Sequence, residues 1–149
     1  MKKILLVTAL LLSTLSYTFA SDNNGLIKSK STMNFDKTVN EIKDRINSKK
    51  LTIFTIIDHS KNAKNVNLKL AKTKVIIFGN PNIGTLLIQD SASTALDLPQ
   101  KILVVEENDN VNVYYNSPKF MQKRHGISAQ KDKLINKISG LLKYLTTFK

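Results

Sequence analysis

The apolar residues in the first half of the chain follow two spacings, one typical of strands and one typical of a helix. Residues 26–32 alternate weakly between apolar and polar and predict a first strand, whereas 51–58, rich in Ile and Thr, predict a buried second strand. Between them, Asn34 can cap a helix. The apolar positions of that helix share one face: Phe35, Val39, Ile42 and Ile46. A short helix over 61–68 and a third strand over 74–78 complete this half.

The second half of the chain predicts a β-hairpin and a short helix. The apolar stretches 101–107 and 111–115 flank Asn108-Asp109-Asn110, whose residue types tolerate positive φ. Pro118 suits the first turn of a following helix, and Gly126 can terminate it. The hairpin therefore leads directly into helical structure.

A last amphipathic helix is predicted after Ser128, which can cap it. Its apolar face contains Leu134, Ile138, Leu141, Leu142 and Leu145. Gly140 within it could allow close packing against a neighbour. No repeat or Pro/Gly-rich linker interrupts the chain, so residues 21–149 are predicted to form one compact α+β domain, with a small mixed or antiparallel sheet packed with helices and this C-terminal amphipathic helix.

The third strand breaks abruptly into a segment rich in Gly and Asn. Val75-Ile76-Ile77-Phe78 leads into Gly79-Asn80-Pro81-Asn82-Ile83-Gly84-Thr85, here called the glycine loop. A strand, a backbone-rich loop and a short helix from Thr85 would leave amide N–H groups free for an anion or a carbonyl. The spacing of Gly79 and Gly84 is that of a P-loop, but the lysine of that motif is missing, which argues against nucleotide hydrolysis. Gly79, Asn80, Gly84 and Thr85 are candidate ligand contacts.

Five further polar residues stand at the ends of predicted elements. Asp58 and His59 close the second strand, Asp97 precedes Pro99, and Arg124 and His125 precede Gly126. If the second and third strands are parallel neighbours, their carboxyl ends lie together and bring Asp58 and His59 to the glycine loop. An antiparallel arrangement would separate them. The hypothesis is one cleft that the loop and both histidines share.

Each of these polar residues also has a structural interpretation. Both histidines can hydrogen-bond backbone at element ends, Asp58 can form an Asx-type turn, and Asp97 can fix the turn before Pro99. A divalent metal site of His59, His125 and a carboxylate suits Zn²⁺ or Cu²⁺, although no short His spacing supports it. No other cofactor is indicated. The enzymatic alternative uses His59 or His125 as a general acid or base, but no Gly-x-Ser-x-Gly motif provides a nucleophile.

The N-terminus has the three parts of a secretory signal. Lys2-Lys3 precedes an apolar run that begins at Ile4, and Ala20 ends a small-residue cleavage pattern before Ser21. Met1 to Ala20 are therefore predicted to be a signal peptide, with an uncleaved anchor as the alternative. The run is short for a membrane span, and no integral span is expected after its removal. The protein is expected to be periplasmic or secreted.

Composition adds two constraints. The chain has no Cys, which excludes a disulfide framework and a thiolate nucleophile. A net charge of +12 favours a small anion or an acidic partner, or reflects only a lysine-rich solvated surface. Nucleic acid is not expected as a partner, because export removes the protein from it.

Several spaced motifs resemble a prokaryotic family, domain-of-unknown-function family 302. The central one is Phe78-Gly79-Asn80-Pro81-x-x-Gly84-Thr85. The others, in the same order as in the family, are Ile57-Asp58-His59, Leu87-Ile88-Gln89, Ala95-Leu96-Asp97-Leu98-Pro99, Val113-Tyr114-Tyr115-Asn116 and Arg124-His125-Gly126-Ile127. The resemblance implies a compact, often self-associating α+β domain without an established activity, which leaves a homodimer open. Ser93 departs from the family, which often has Pro there.

Without a recognisable nucleophile, cofactor loop or pair of acids, binding is favoured over catalysis. The sequence thus predicts an exported small-ligand or partner-binding module, with a small periplasmic enzyme as the alternative.

Overall fold

A computed structural model describes residues 24–148, so the predicted signal segment lies outside the described residues. Five antiparallel strands form one sheet in the order β1-β5-β4-β3-β2. The strands are β1 (Leu26–Lys30), β2 (Thr52–Asp58), β3 (Thr73–Gly79), β4 (Gln100–Glu107) and β5 (Asn110–Asn116). The helices are α1 (Phe35–Ser48), α2 (His59–Asn65), α3 (Pro81–Asp90), α4 (Pro118–His125) and α5 (Asp132–Thr146), with 3₁₀ turns at Ala92–Leu96 and Ala129–Lys131. The predicted α+β class is confirmed.

The core lies on one face of the sheet. Alternate residues of the three central strands are buried on that face: Ile76, Phe78, Ile102, Val104, Val113 and Tyr115. The apolar faces of α1 and α5 cover them, which is why the 3.6-residue spacing of both helices is visible in the sequence. The core thus joins the two predicted amphipathic helices to the sheet.

Local signals placed several element ends correctly. Asn34 Oδ1 accepts a hydrogen bond from the Lys37 amide at 3.0 Å and caps α1. Pro118 opens α4, and Gly126 ends it with φ of 64°. In the hairpin, Asn108 and Asp109 have φ of 49° and 61°, as the two-residue turn between β4 and β5 requires.

The parallel arrangement of β2 and β3 considered above is wrong. The strands are antiparallel neighbours, with Thr52 opposite Gly79 and Asp58 opposite Lys74. A parallel pair needs a connection that returns along the whole strand. The α2 helix, with seven residues, is only about 10 Å long, shorter than the strand of about 23 Å that it would have to follow. The end of β2 therefore lies far from the glycine loop.

Three predicted helix boundaries also differ from the structure. α3 begins at Pro81 rather than Thr85, because Asn80 caps it, and α2 occupies 59–65 instead of 61–68. Ser128 does not cap the last helix; its amide and hydroxyl donate to the two carboxylate oxygens of Asp90 at 2.7 and 3.2 Å. Gly140 makes no close packing contact with a neighbouring element, since apart from its own helix backbone no heavy atom lies within 4 Å of where its Cβ would be.

Candidate functional site

The glycine loop forms one wall of a cavity of about 300 Å³. The cavity lies between the start of α3, the edge strand β2 and the segment that leads into β4. Its lining is mainly apolar: Leu51, Phe54, Phe78, Pro81, Ile83, Leu87, Ile88, Leu98, Pro99, Ile138 and Leu141, together with Gly79, Gly84, Asn80, Thr85 and Gln100. Four of the predicted site residues therefore meet here, as part of an apolar rather than a charged site.

Three amides of the glycine loop, those of Asn82, Ile83 and Gly84, are not free to bind an anion. Asn80 Oδ1 accepts from the amide of Asn82 at 2.9 Å. The Asn80 carbonyl accepts from the amides of Ile83 and Gly84 at 2.9 and 3.0 Å. Because the helix uses these donors, the expectation of a backbone-rich anion loop is wrong. What remains for a ligand is the surface of the side chains.

The two glycines of the loop provide space rather than unusual backbone angles. Neither has positive φ, which among the described glycines occurs only at Gly25 and Gly126. A Cβ at Gly79 would lie 3.5 Å from Phe54 Cε2, and one at Gly84 would lie 3.6 Å from Leu98 Cδ1, both ordinary van der Waals distances. Larger side chains at these positions would extend into the cavity.

Gln100 is the polar feature of the cavity that sequence reasoning missed. It precedes Ile102 and Val104 on the core-facing side of β4, and its Nε2 is buried without a hydrogen-bond partner. A buried unpaired donor costs about 1 to 3 kcal/mol. The signal was present in the sequence, since a glutamine occupies a core-facing position of the alternating strand.

Asp97, Arg124 and His125 form a second cluster with a serine. His125 Nε2 lies 2.6 Å from Asp97 Oδ2, and Arg124 Nη1 lies 3.3 Å from the same oxygen. On the other side of the ring, Nδ1 lies 2.9 Å from Ser93 Oγ. The Ser91 hydroxyl donates to the His125 carbonyl at 2.7 Å. The cluster joins the 3₁₀ turn before β4 to the end of α4.

This arrangement differs from both structural interpretations made from the sequence. Asp97 does not merely fix a turn before Pro99, and His125 does not cap a helix with its ring. The His125 side chain is only 4% exposed and uses both ring nitrogens. Ser93 and Arg124 are the exposed members of the cluster.

Asp58 and His59 lie at the other end of β3 from these groups, since Asp58 pairs with Lys74 whereas Phe78 pairs with Gln100. Asp58 caps α2 by accepting from the Lys61 amide at 2.9 Å, and His59 is exposed. The two histidines therefore do not share a cleft.

Hydrogen bonds hold the pKa of Asp58 below its usual value. The Lys61 amide contributes most, followed by the Ser60 hydroxyl at 2.7 Å from Oδ1. Lys74 Nζ, 3.5 Å from Oδ2, acts in the same direction. These contacts show that Asp58 caps the start of α2.

Within residues 24–148, no group of three or more His, Cys, Asp or Glu side chains is arranged to hold a metal ion. The antiparallel pairing separates the proposed ligands His59 and His125. The structure therefore does not assemble the His59, His125 and carboxylate set in the described part of the chain.

A further polar cluster, not foreseen from the sequence, lies on β1, β4 and β5. Glu107 Oε2 accepts from Asn112 Nδ2 and from the Tyr114 hydroxyl, both at 2.7 Å. Lys28 Nζ is 3.6 Å from the same oxygen. The Tyr114 hydrogen bond lowers the pKa of Glu107, and burial raises the pKa of Tyr114. Its members pair with one another across neighbouring strands.

Comparison with known proteins agrees with the fold and with the family that the sequence resembles. The family model described as "Domain of unknown function DUF302" matches residues 27–145. The chain belongs to the DUF302 family. A structure of an uncharacterised conserved DUF302 protein from Bacillus stearothermophilus has a TM-score of 0.73 with 10% sequence identity, covering 82% of this chain and 95% of that one. The recognised family and its fold are thus confirmed.

Two curated relatives are longer than this DUF302 chain. Proteins named "Fluoride-specific ion channel FluC 1" from Brucella suis and Brucella abortus are 33% identical to it over 111 residues, which is 74% of this chain. The matched part is 44% and 41% of those proteins, so the chain spans less than half their length. No helix in residues 24–148 is long and apolar enough to cross a membrane.

Proposed function

We propose that this DUF302 chain binds a small, mainly apolar molecule in the cavity beside α3. The observation that carries the proposal is the unpaired Nε2 of Gln100 in a mainly apolar lining. The cavity volume of about 300 Å³ is at the lower end of the range for small-molecule sites. A ligand with one oxygen acceptor would pair the amide and fill the apolar space.

The proposal keeps the predicted binding module and its export but changes the chemistry of the ligand. A small anion is disfavoured, since the amides of the glycine loop are used within α3. The channel activity in the names of the Brucella relatives is not carried over, because the chain spans less than half of those proteins.

A solvatochromic naphthalene ketone, 6-propionyl-2-(dimethylamino)naphthalene, is a suitable probe. It is apolar, has one carbonyl acceptor, and its emission shifts to the blue in apolar surroundings. Gln100→Leu should weaken its binding about tenfold, the value of one hydrogen bond to a buried group. The same variant should unfold at an unchanged or higher denaturant concentration, because it removes an unpaired buried donor.

Gly84→Leu should abolish probe binding by filling the cavity. Gly140→Leu is the matched control, because both glycines lie within helices and Gly140 faces open space. Both variants should gain helix stability, of order 1 kcal/mol, but only Gly84→Leu should lose the probe. Equal binding by both variants would place the probe elsewhere and reject the cavity as the site.

The enzymatic alternative now concerns His125 alone. Ser93 Oγ lies 2.9 Å from His125 Nδ1, and His125 Nε2 lies 2.6 Å from Asp97 Oδ2. Contacts that run from a serine through a histidine to an aspartate can activate the serine as a nucleophile. We propose it as a second candidate that a fluorophosphonate label tests directly. Labelling that disappears in Ser93→Ala would establish a reactive serine, and an unlabelled parent protein would eliminate it.

A further inference from the structure

The connection between β2 and β3 exposes three apolar side chains. Val66, Leu68 and Leu70 are 63%, 66% and 51% exposed. They belong to residues 61–72, here called the lysine-leucine segment, which includes most of α2 and the chain that follows it. Three exposed apolar side chains within five consecutive residues are unusual, since exposed apolar residues are normally scattered singly over a surface.

The backbone holds these side chains outward. Asn67 has φ of 59° and reverses the chain after α2. The amides of Val66 and Leu68 both donate to the Ala63 carbonyl, at 3.1 and 2.9 Å. This hydrogen-bonded helix end fixes the start of the segment, so the exposure of Val66 and Leu68 follows from a defined turn.

The same segment is strongly basic. It contains four lysines and no acidic residue, whereas α1 carries three basic and three acidic residues. Lys72 pairs with Asp36 and Glu106 at 3.9 and 3.4 Å. For Lys61, Lys64 and Lys69, no side-chain ion pair is found within residues 24–148. Their charges are available to an external partner.

We propose that the lysine-leucine segment docks this protein onto an anionic lipid surface. Apolar side chains that enter the boundary between headgroups and acyl chains, flanked by lysines that meet anionic headgroups, are the two requirements for interfacial binding. The apolar side chains are those of Val66, Leu68 and Leu70. The headgroup contacts would come from the three lysines of the segment that have no ion pair in the described chain. The docking is independent of the ligand cavity, which lies at the opposite end of β3.

A single tryptophan tests the proposal locally, because the chain contains no Trp. Leu68→Trp in the full chain should shift its emission to the blue with vesicles of phosphatidylglycerol and phosphatidylcholine, and stay unchanged with phosphatidylcholine alone. Leu96→Trp is the matched control, since Leu96 is 77% exposed outside the segment. It should show no shift with either vesicle. An equal response of both variants, or of Leu68→Trp to both kinds of vesicle, would overturn the proposal.

The lysines are tested in the Leu68→Trp background. A triple variant should weaken vesicle binding about a hundredfold when it combines Lys61→Gln, Lys64→Gln and Lys69→Gln. Each lysine near an anionic surface contributes a factor of about five to the affinity. Lys37→Gln, Lys133→Gln and Lys137→Gln remove the same charge from exposed positions on α1 and α5. Equal losses in both triple variants would show attraction by net charge and contradict a docking segment.

A second copy of the chain is the other occupant that could cover these side chains. If the segment mediates self-association, the emission of the Leu68→Trp variant should already be blue-shifted without vesicles and should return to the red on dilution. That result would overturn the lipid proposal, whereas concentration-independent emission without vesicles supports it.

Discussion

Asp58 and His125 were both site candidates, and the structure shows which groups each of them contacts. Asp58 accepts from the Lys61 amide at the start of α2, and His125 bridges Asp97 and Ser93. The partners of Asp58 are its near neighbours Ser60 and Lys61, as a turn-forming aspartate suggests, whereas the partners of His125 were not visible in the sequence. Ser93 and Asp97 lie about thirty positions before His125, and nothing in local spacing relates them to it.

Asp58 should make the stability of the protein depend on pH in the acid range. Its pKa in the folded chain is below the unperturbed value of 3.8. The stabilisation is therefore fully present above pH 3.8 and is lost as the pH falls through the lower folded-state pKa. Asp58→Asn retains a capping side chain but does not titrate.

We expect the difference in free energy of unfolding between the parent and Asp58→Asn to be constant from about pH 7 to about pH 5 and to shrink below about pH 4. Urea denaturation at each pH measures it. The comparison cancels the titration of other carboxylates, Glu107 among them. A difference that grows on acidification would contradict the lowered pKa.

His125→Ala should destabilise the protein by about 2 to 3 kcal/mol, because it empties a buried position and removes a partner of Asp97 and of Ser93. His59→Ala is the control, since His59 is exposed and should change stability by less than about 0.5 kcal/mol. Denaturant titration of both variants distinguishes them. Equal and small effects would show that the contacts of the His125 ring do not stabilise the fold.

At the scale of elements, local chemistry predicted more than pairing did. Asn34, Pro118, Gly126 and the Asn108-Asp109 turn act within a few residues, and the structure confirms each of them. Strand orientation depends on contacts across the sheet, so the relation of β2 to β3 could not be determined from the chain. The prediction that Ser128 caps the last helix was wrong for the same reason. The Ser128 amide and hydroxyl donate to Asp90, which belongs to α3 and is distant in the sequence.

Arg45 joins α1 to the end of α5 and should not tolerate lysine. Its Nη1 donates to the carbonyls of Tyr144 and Thr147 at 2.9 and 2.7 Å, and its Nε donates to Glu41 at 2.8 Å. A lysine cannot reproduce this planar set of donors. Arg45→Lys should therefore lower the free energy of unfolding by about 1 to 2 kcal/mol.

The control is the same substitution at Arg124. The Arg124 side chain is 54% exposed, whereas the Arg45 side chain is 19% exposed. Arg124→Lys keeps an exposed ion pair and should cost less than about 1 kcal/mol. Thermal unfolding of the two variants gives the comparison. If both lose the same amount, the carbonyl contacts of Arg45 do not stabilise the helix pair.

At the scale of the whole molecule, antiparallel pairing separates two surfaces. The ligand cavity lies at the end of the central strands that contains Gly79 and Gln100. The lysine-leucine segment lies at the opposite end, next to Asp58 and Lys74. Only the glycine part of the cavity could be predicted, because the facing walls come from β2, from α5 and from the segment that leads into β4. A chain docked through the segment would still present the cavity away from the lipid.

Export is the prediction that concerns the entire chain. We predict a cleavable signal, because Lys2-Lys3, the apolar run from Ile4 and the small residue Ala20 follow the pattern of its three parts. Protein recovered from the periplasm of a bacterial host should therefore begin at Ser21, as N-terminal sequencing would show. Ala20→Leu is a suitable variant, because a large residue at the cleavage position should leave the precursor uncut and held in the membrane fraction. Soluble cytoplasmic protein with an intact Met1 would exclude export, and cleaved Ala20→Leu protein would place the cleavage site elsewhere.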